Sequence, residues 1–514
     1  MTVKTLAQGF GAAMVVLILR VWPQLSRYHP VIYHSFLPMQ SVVWGVFIDL
    51  IVVSLLGALL FSYLEKKETV LRNVLWALVA AELSACAVTA LDGMHRGEIP
   101  HLTPNGAFYA VLLGSLLLLW IAPESYRFAV RGLGVVLLLA GFSLVWMVPQ
   151  LLYQALRTQR ADVAVPVTYP MQAGEGSSTE RGRLVWLIFD ELSYDQLFEH
   201  RFPGLAMPAF DDFKTKSVVF TNLKQVGYYT DRVIPSFLLG KQIVNLKSNL
   251  DGVPSVILNG QPSWQGIDPK ATLFADAQRL GWSTGVAGWY NPYCRILTGV
   301  LNYCFWRMGD GQSDGALPDH SAWQNALAPL VQRSRDLRHE PSLAAEKHRE
   351  DLAAIMPRAE ALLRDDSIAF AFIHLPVPHP PGIYHRHPAR PGEKGSYIDN
   401  LALADKTLGE LMQTLNATAS GSKATVIVCS DHSWRVAMWR NTSIWTQEDE
   451  AASHGRFDPR PVLMIHSPGQ QTEQQVTAPF DELRLHDIIE QILHGGTFAA
   501  SIFTPVSEKT EPVP

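Results

Sequence analysis

The run RLVWLIFDEL, residues 183–192, decides the fold. Its centre, VWLIF (185–189), is continuously apolar, too short for a helix, and ends on two acids, Asp190 and Glu191. A strand covered on both faces of a parallel sheet reads this way. Three later runs share the form: IAFAFIHL (368–375), TVIVC (425–429) and PVLMIH (461–466). Longer amphipathic stretches between them predict helices near 271–280, 343–364, 398–415 and 482–493. Short apolar strands alternating with helices predict an α/β domain with a largely parallel central sheet flanked by helices.

Three of these strands run into acids or histidines at their carboxyl ends: Asp190 and Glu191, then His374 and His379, then Asp431 and His432. In open α/β sheets the ligand crevice lies at that edge. One such coincidence is ordinary, since every strand ends in a polar loop, but three that together supply carboxylates and imidazoles point to a shared divalent cation. Oxygen and nitrogen donors suit zinc or manganese. A second constellation is GYYTDRVIPSFLLGK (227–241), which follows the strand-like VVFTNL and turns into an apolar stretch. Thr230 sits at the entrance of that stretch. By spacing alone it reads first as a helix N-cap, with Pro235 inside the opening turns. It also reads as a hydroxyl at the positive end of a helix dipole, where an anionic substrate is favoured and a nearby cation makes the alcohol a nucleophile.

The chain has 514 residues, 48% hydrophobic and 17% charged, against about 25% charged in an average globular protein. The apolar excess lies almost entirely before residue 157. Five hydrophobic segments, 6–24, 40–64, 72–91, 105–123 and 132–156, predict a five-helix transmembrane domain over 1–157. Asn105–Pro123 and Gly132–Leu156 contain no Asp, Glu, Lys or Arg. No small-residue cleavage site follows the first segment, so it reads as a retained anchor. With the N-terminus inside, six basic residues (Lys4, Lys66, Lys67, Arg72, Arg127, Arg131) fall in cytoplasmic loops and five (Arg20, Arg27, Arg96, Arg157, Arg160) outside. That balance, with an odd number of spans, puts everything after 157 on the periplasmic or extracellular side of a multi-pass cytoplasmic (inner) membrane protein. Asp49 and Glu82 within the segments read either as part of an interhelical network or as groups holding a lipid headgroup. Residues 158–182, rich in Pro, Gly and Ser, read as a linker; 183–505 is the α/β domain and 506–514 a flexible tail. A net charge of −5 without a basic run makes nucleic acid a poor partner, and four cysteines without CxxC spacing exclude a zinc ribbon.

Taken in order, LIFDEL, T-x4-PS-x3-G (Thr230 to Gly240), HLPVPHPP and SDHSWR resemble the alkaline phosphatase superfamily, sulfatase-like branch, over about residues 183–500. TLFADAQRLGWSTGVAG (272–288), YIDNLALADKTLGELMQTL (397–415) and RPVLMIHSPG (460–469) are similar to further segments of that family. Spans preceding such a domain resemble the membrane-anchored phosphoethanolamine transferases and lipoteichoic acid synthases. The resemblance implies metal ligation by Asp190 or Glu191, Asp431, His432 and Thr230, with Thr230 as nucleophile. Sulfatases use an acidic pair after the first strand and the transferases a single glutamate, so both neighbouring acids stay open. It implies that His379 contacts the substrate phosphate or protonates the leaving group, with His454 as a further ligand or phosphate contact; His374, at the end of its strand, stands beside them as a candidate substrate-binding residue. Where a sulfatase carries the cysteine that becomes formylglycine this chain has Val233, which disfavours the usual arylsulfatase chemistry. Ser236, after the proline, is a second candidate nucleophile. The transferases also carry disulfides, and here only Cys294 and Cys304 look pairable, in keeping with an oxidising compartment; Cys86 and Cys429 read as packed thiols. The function implied is transfer of a phosphoethanolamine- or phosphoglycerol-type headgroup from a lipid-linked donor to a cell-envelope acceptor through a phospho-threonine. The alternatives are a sulfatase-like hydrolase, phosphodiesterase or sulfuric ester hydrolase, at the outer membrane face, and a non-catalytic membrane-anchored binding protein. Oligomeric state is not legible.

Overall fold

The computed structural model describes residues 1–18, 20–21, 40–67, 69–95, 104–156, 182–248, 254–308, 320–337, 343–388, 393–440, 442 and 444–496. The linker, apart from Gly182, and the 506–514 tail lie outside the described residues, as do Arg27, Arg96, Arg157 and Arg160. Two compact units form. The first gathers the described residues up to 156 together with 320–331, a segment that the sequence pattern places in the α/β domain; the second holds the other described residues from 182 onward.

In the first unit the helices are α1 (Val3–Val16), α2 (Gln40–Leu64), α3 (Thr69–His95), α4 (Pro104–Ile121), α5 (Pro123–Gly141) and α6 (Leu144–Leu156). Among the described residues two helices are long and apolar enough to cross a membrane: α2, with mean hydropathy 2.4, and α3 over Val70–Val88, with 1.5. The expected span 132–156 is broken at Phe142 and Ser143, where α5 and α6 meet with a bend of 40°. A Gly-Phe-Ser sequence there supplies the small residues at which helices kink. Counting that bent pair as one span gives three, so five spans are not reproduced; α1 and Asn105–Ile121 are shorter apolar helices. Glycine lets α1 approach its neighbours closely. A Cβ at Gly9 would lie 2.3 Å from the Ser54 carbonyl oxygen of α2, and one at Gly11 would lie 2.0 Å from that of Leu137 in α5, the small-residue packing that suits helices without a hydrophobic driving force. Asp49 pairs with Arg20, whose Nη2 donates to the Asn325 carbonyl at 2.8 Å. The acid is thus part of an interhelical network, whereas Glu82 is exposed.

In the second unit β3 (Leu223–Lys224), β4 (Ile243–Ser248), β5 (Pro254–Leu258) and β6 (Gln265–Gly266) belong to two smaller sheets, and the main sheet is built on eight strands: β1 (Arg183–Phe189), β2 (Val218–Phe220), β7 (Thr284–Tyr290), β8 (Tyr303–Met308), β9 (Phe370–Leu375), β10 (Ala424–Cys429), β11 (Leu463–His466) and β12 (Gln474–Val476). Their order is β12, β2, β11, β10, β1, β9, β7, β8. Only β11 runs antiparallel to its neighbours. All seven residues of β1 are buried, because its pleat feeds two layers. Val185, Leu187 and Phe189 face the core shared with Ile355 and Leu362 of α9 (Leu343–Arg364) and Leu401 and Leu408 of α10 (Tyr397–Asn416). On the opposite face Trp186 meets Phe372 edge-on at 5.0 Å and Phe237 at 6.2 Å. Phe237 lies on α7 (Thr230–Leu239). Each such buried aromatic contributes about 1.5–3 kcal/mol, and burial on both faces explains the absence of alternation in the sequence.

What matters for the site is the register. Ile188 of β1 aligns with Cys429 of β10 on one side and His374 of β9 on the other. Asp190 and Asp431, each two residues beyond an aligned position, therefore emerge together at the carboxyl edge.

Candidate active site

Asp190, Thr230, Asp431 and His432 converge on one buried point. The Thr230 hydroxyl donates to Asp190 Oδ2 at 3.2 Å and lies 3.2 Å from His432 Nε2. His432 Nε2 is 3.1 Å from Asp431 Oδ2 and 3.8 Å from Asp190 Oδ1. His432 Nδ1 donates to its neighbour's carbonyl, Ser433 O, at 3.1 Å, so Nε2 carries a lone pair aimed into the cluster. Thr230 is the first residue of α7, and Tyr229 is the N-cap. Its hydroxyl is spent on the cluster and not on capping.

This arrangement fits a divalent cation. One ligand atom each from Asp190, Asp431 and His432 lies within 4.8 Å of the others. Among the described residues, Asp190 Oδ1 and Asp431 Oδ2 are buried and receive no hydrogen bond, which is costly unless something positive completes them. Burial, opposed by the Arg435 charge and aided by that of Glu191, pushes the Asp190 carboxyl up to about 8. Burial and then the Asp190 charge push Asp431 up to about 7. Burial, followed by the Arg435 charge, holds His432 well below the usual imidazole range, leaving the neutral ring that ligation requires.

Glu191 points elsewhere. Its backbone is left-handed, φ 64°, a strained state for glutamate. It is pinned by the Tyr397 hydroxyl donating to its carbonyl at 2.7 Å and by its own N–H donating to Asp431 Oδ1 at 3.3 Å. The turn sends adjacent side chains in different directions. Asp190 enters the cluster, while the Glu191 carboxylate pairs with Arg435 Nε and accepts from Trp439 Nε1 at 3.0 Å. A buried guanidinium claims it.

His374 is fully buried, with Nε2 3.3 Å from Asp190 Oδ2 and Nδ1 2.8 Å from the Tyr293 hydroxyl; burial lowers it to about 4. It backs the acid. His379 accepts from Arg435 Nη2 at Nε2, 3.1 Å, which puts it on the Arg435 side of the site. Its ring lies against Trp289, Trp439 and His348 at 5.1, 5.2 and 5.8 Å between centroids. Burial and then the Arg435 charge keep it neutral. His454 is not brought in: it is the exposed, left-handed C-cap of Gln447–Ser453 and makes no hydrogen bond or ion pair to the cluster among the described residues. Ser236 is buried in α7, donating to the Arg232 carbonyl at 2.6 Å and accepting from Ile243 N at 2.8 Å; its hydroxyl is consumed by backbone.

Arg435 is a buried member of the site, whereas in the sequence Trp434 and Arg435, after the Asp-His pair, read as a packed tryptophan and a solvated arginine, or as contacts to an acceptor. Sequence reasoning missed Trp439, Trp289 and His348. The neighbouring SDH run was the one available signal for Arg435. Trp434 is packed as expected, stacked on Tyr397 at 4.1 Å. Cys294 and Cys304 are bonded to each other; Cys86 is half-buried and Cys429 buried, both free.

A mostly parallel sheet delivers two acids, an imidazole and an alcohol to one buried point, the arrangement of an enzyme of the sulfatase-like class, a hydrolase or phosphotransferase. The sulfatase family model matches residues 183–494, more than half the chain, and the chain belongs to that family. Sulfatase-family enzymes are metal-dependent, in keeping with the donor set. Similar solved structures include the lipoteichoic acid synthase LtaP from Listeria monocytogenes, at 13% identity, covering 65% of this chain and 77% of that one with a TM-score of 0.38. The phosphonate monoester hydrolase of Agrobacterium radiobacter is 15% identical, covering 62% and 78%, TM-score 0.38. The PsFucS1 sulfatase from Pseudoalteromonas sp. is 12% identical, covering 61% and 68%, TM-score 0.41. No curated protein matches the sequence.

Proposed function

We propose that this protein is a membrane-anchored, metal-dependent transferase that moves a phosphoester headgroup, of phosphoethanolamine or phosphoglycerol type, from a lipid donor to a cell-envelope acceptor through a phospho-threonine at Thr230. The observation that carries the reading is the Thr230 hydroxyl, 3.2 Å from both Asp190 Oδ2 and His432 Nε2 at the start of α7, in a chain with Val233 where formylglycine chemistry needs cysteine.

Asp190, Asp431 and His432 would hold the cation, zinc or manganese, with Thr230 as a fourth donor. When bound, the cation stabilises the alkoxide and the charge on phosphorus. Thr230 Oγ gives up its proton to solvent and bonds to phosphorus as the bond from phosphorus to the lipid oxygen breaks; that oxygen takes up one proton from solvent, so the step is neutral in protons. The α7 N-terminus stabilises the equatorial oxygens. Arg435 fixes the neutral His379, which donates a hydrogen bond to the phosphate or the leaving oxygen. An acceptor hydroxyl then attacks the phospho-threonine and frees Thr230, giving ping-pong kinetics. The apolar helices α2 and α3 favour a donor that stays in the bilayer, with the catalytic unit on the periplasmic or extracellular face of the cytoplasmic membrane.

The test is to incubate the full-length, zinc- or manganese-loaded protein with phospholipids labelled in the headgroup and map the label by mass spectrometry. Label on Thr230 that is chased to an added acceptor supports transfer. Label released only to water moves the assignment to a hydrolase, and no adduct in the wild type refutes the covalent route.

A further inference from the structure

We infer that the helix α8 (Ala322–Leu337), inserted in the α/β sequence between β8 and α9, lies on the bilayer with one face in the lipid. It rests on the reading of α2 as a membrane span. Residues 320–331 belong to the helical unit, and their contact with α2 is close. A Cβ on Gly45 would lie 2.7 Å from Asn325 Cβ and 3.0 Å from the Ala322 carbonyl oxygen, so α8 crosses α2 near its Gln40 end at backbone distance. Asn325 Nδ2 donates to Ser41 Oγ at 3.3 Å, and its carbonyl accepts from Arg20. Asn325, Ala326 and Ala328 thus form the buried face.

The other face is apolar and open: Trp323 is 65% exposed, Leu327 50%, Leu330 65% and Val331 42%. Spaced i, i+4, i+7 and i+8, they form one stripe, and no Asp, Glu, Lys or Arg occurs from 320 to 332. Water is a poor partner for that stripe. It belongs to the same unit as α2, which exposes Leu55, Leu56 and Leu59, and its crossing near one end of a span-length helix places it where the hydrocarbon gives way to headgroups. Tryptophan and leucine on a helix lying in that plane are the features of interfacial binding. The occupant of the stripe is therefore phospholipid.

Leu327→Cys, Leu330→Cys, Leu56→Cys and Lys406→Cys, each in the full-length Cys86→Ala protein, would carry an environment-sensitive fluorophore in phosphatidylethanolamine–phosphatidylglycerol vesicles. The quenchers are aqueous iodide and lipids with doxyl groups at shallow or deep positions. Labels at 327 and 330 are expected to be quenched severalfold less by iodide than the exposed Lys406 position, and more by shallow than by deep doxyl. Leu56, in the span, is expected to respond most to deep doxyl. Iodide quenching at 327 and 330 equal to that at 406, with Leu56 quenched by deep doxyl, overturns the inference and leaves the span intact. Exposure of Leu56 to iodide overturns both. Shielding of 327 and 330 from iodide and doxyl alike, with disulfide crosslinking between unlabelled copies, assigns the face to a second copy and also overturns it.

Discussion

Removing the cation should expose the cost of the two buried acids. In the unfolded chain Asp190 titrates near the ordinary carboxylate value of 3.8, and in the metal-free fold burial lifts it to about 8. The folded state then holds its proton more tightly, so the penalty is absent below about pH 4, grows as pH rises, and is complete above about pH 8. At about 1.4 kcal/mol per pH unit of difference, carrying Asp190 as a bare anion costs on the order of 5 kcal/mol. Asp431, lifted to about 7, titrates in the same window, and the pair shares its protons. From the Asp190 shift alone the cost grows by about 2.5 kcal/mol between pH 6 and pH 8.5, so at about 2–4 °C per kcal/mol chelated wild-type protein should melt roughly 5–10 °C higher at pH 6 than at pH 8.5. Asp190→Asn should abolish most of that pH slope, melt above the wild type at pH 8.5 when metal-free, and lose the stabilisation that added zinc or manganese gives the wild type. Differential scanning calorimetry of the chelated and metal-loaded full-length protein in detergent reads all of these. A chelated Asp190→Asn protein less stable than chelated wild type at pH 8.5, or one stabilised equally by metal, would refute the reasoning.

Glu191→Gln should cost about 3 kcal/mol by leaving the buried Arg435 without its charge partner, while bound metal per protein, counted by plasma mass spectrometry, stays unchanged. Ser236→Ala should lose about 1–2 kcal/mol in denaturant unfolding, since its hydroxyl serves Arg232 O and Ile243 N, and retain turnover within a few-fold. Thr230→Ala should lower turnover on the order of 10⁴-fold or more, whereas Thr230→Ser, which keeps an alcohol at that atom, should retain a labelled adduct.

The central strands were legible because full burial on both faces writes itself as an unbroken apolar run. The observed β1, β9 and β10 begin or end within two residues of the runs 185–189, 368–375 and 425–429, and α9 spans 343–364 as read. The choice between Asp190 and Glu191 was not legible. Adjacent acids are equivalent in a sequence, and only the left-handed backbone at Glu191, held by Tyr397 and Asp431, turns one toward the cluster and the other toward Arg435. Arg435 was read as solvated because arginine usually is; its burial depends on a carboxylate 244 positions away in the chain. His454 follows the helix Gln447–Ser453, and nothing in its spacing reveals that it ends in solvent. Hydropathy marks apolar stretches but not their continuity, which is why the bend between α5 and α6 was read as one span.

The most direct test is anomalous diffraction from crystals of the manganese- or zinc-loaded full-length protein. One ion is expected at about 2.0–2.2 Å from an oxygen of Asp190, an oxygen of Asp431 and His432 Nε2, with Thr230 Oγ beside it and Glu191 still on Arg435. An ion bound through Glu191, or a loaded crystal with no anomalous peak among those side chains, would contradict this assignment.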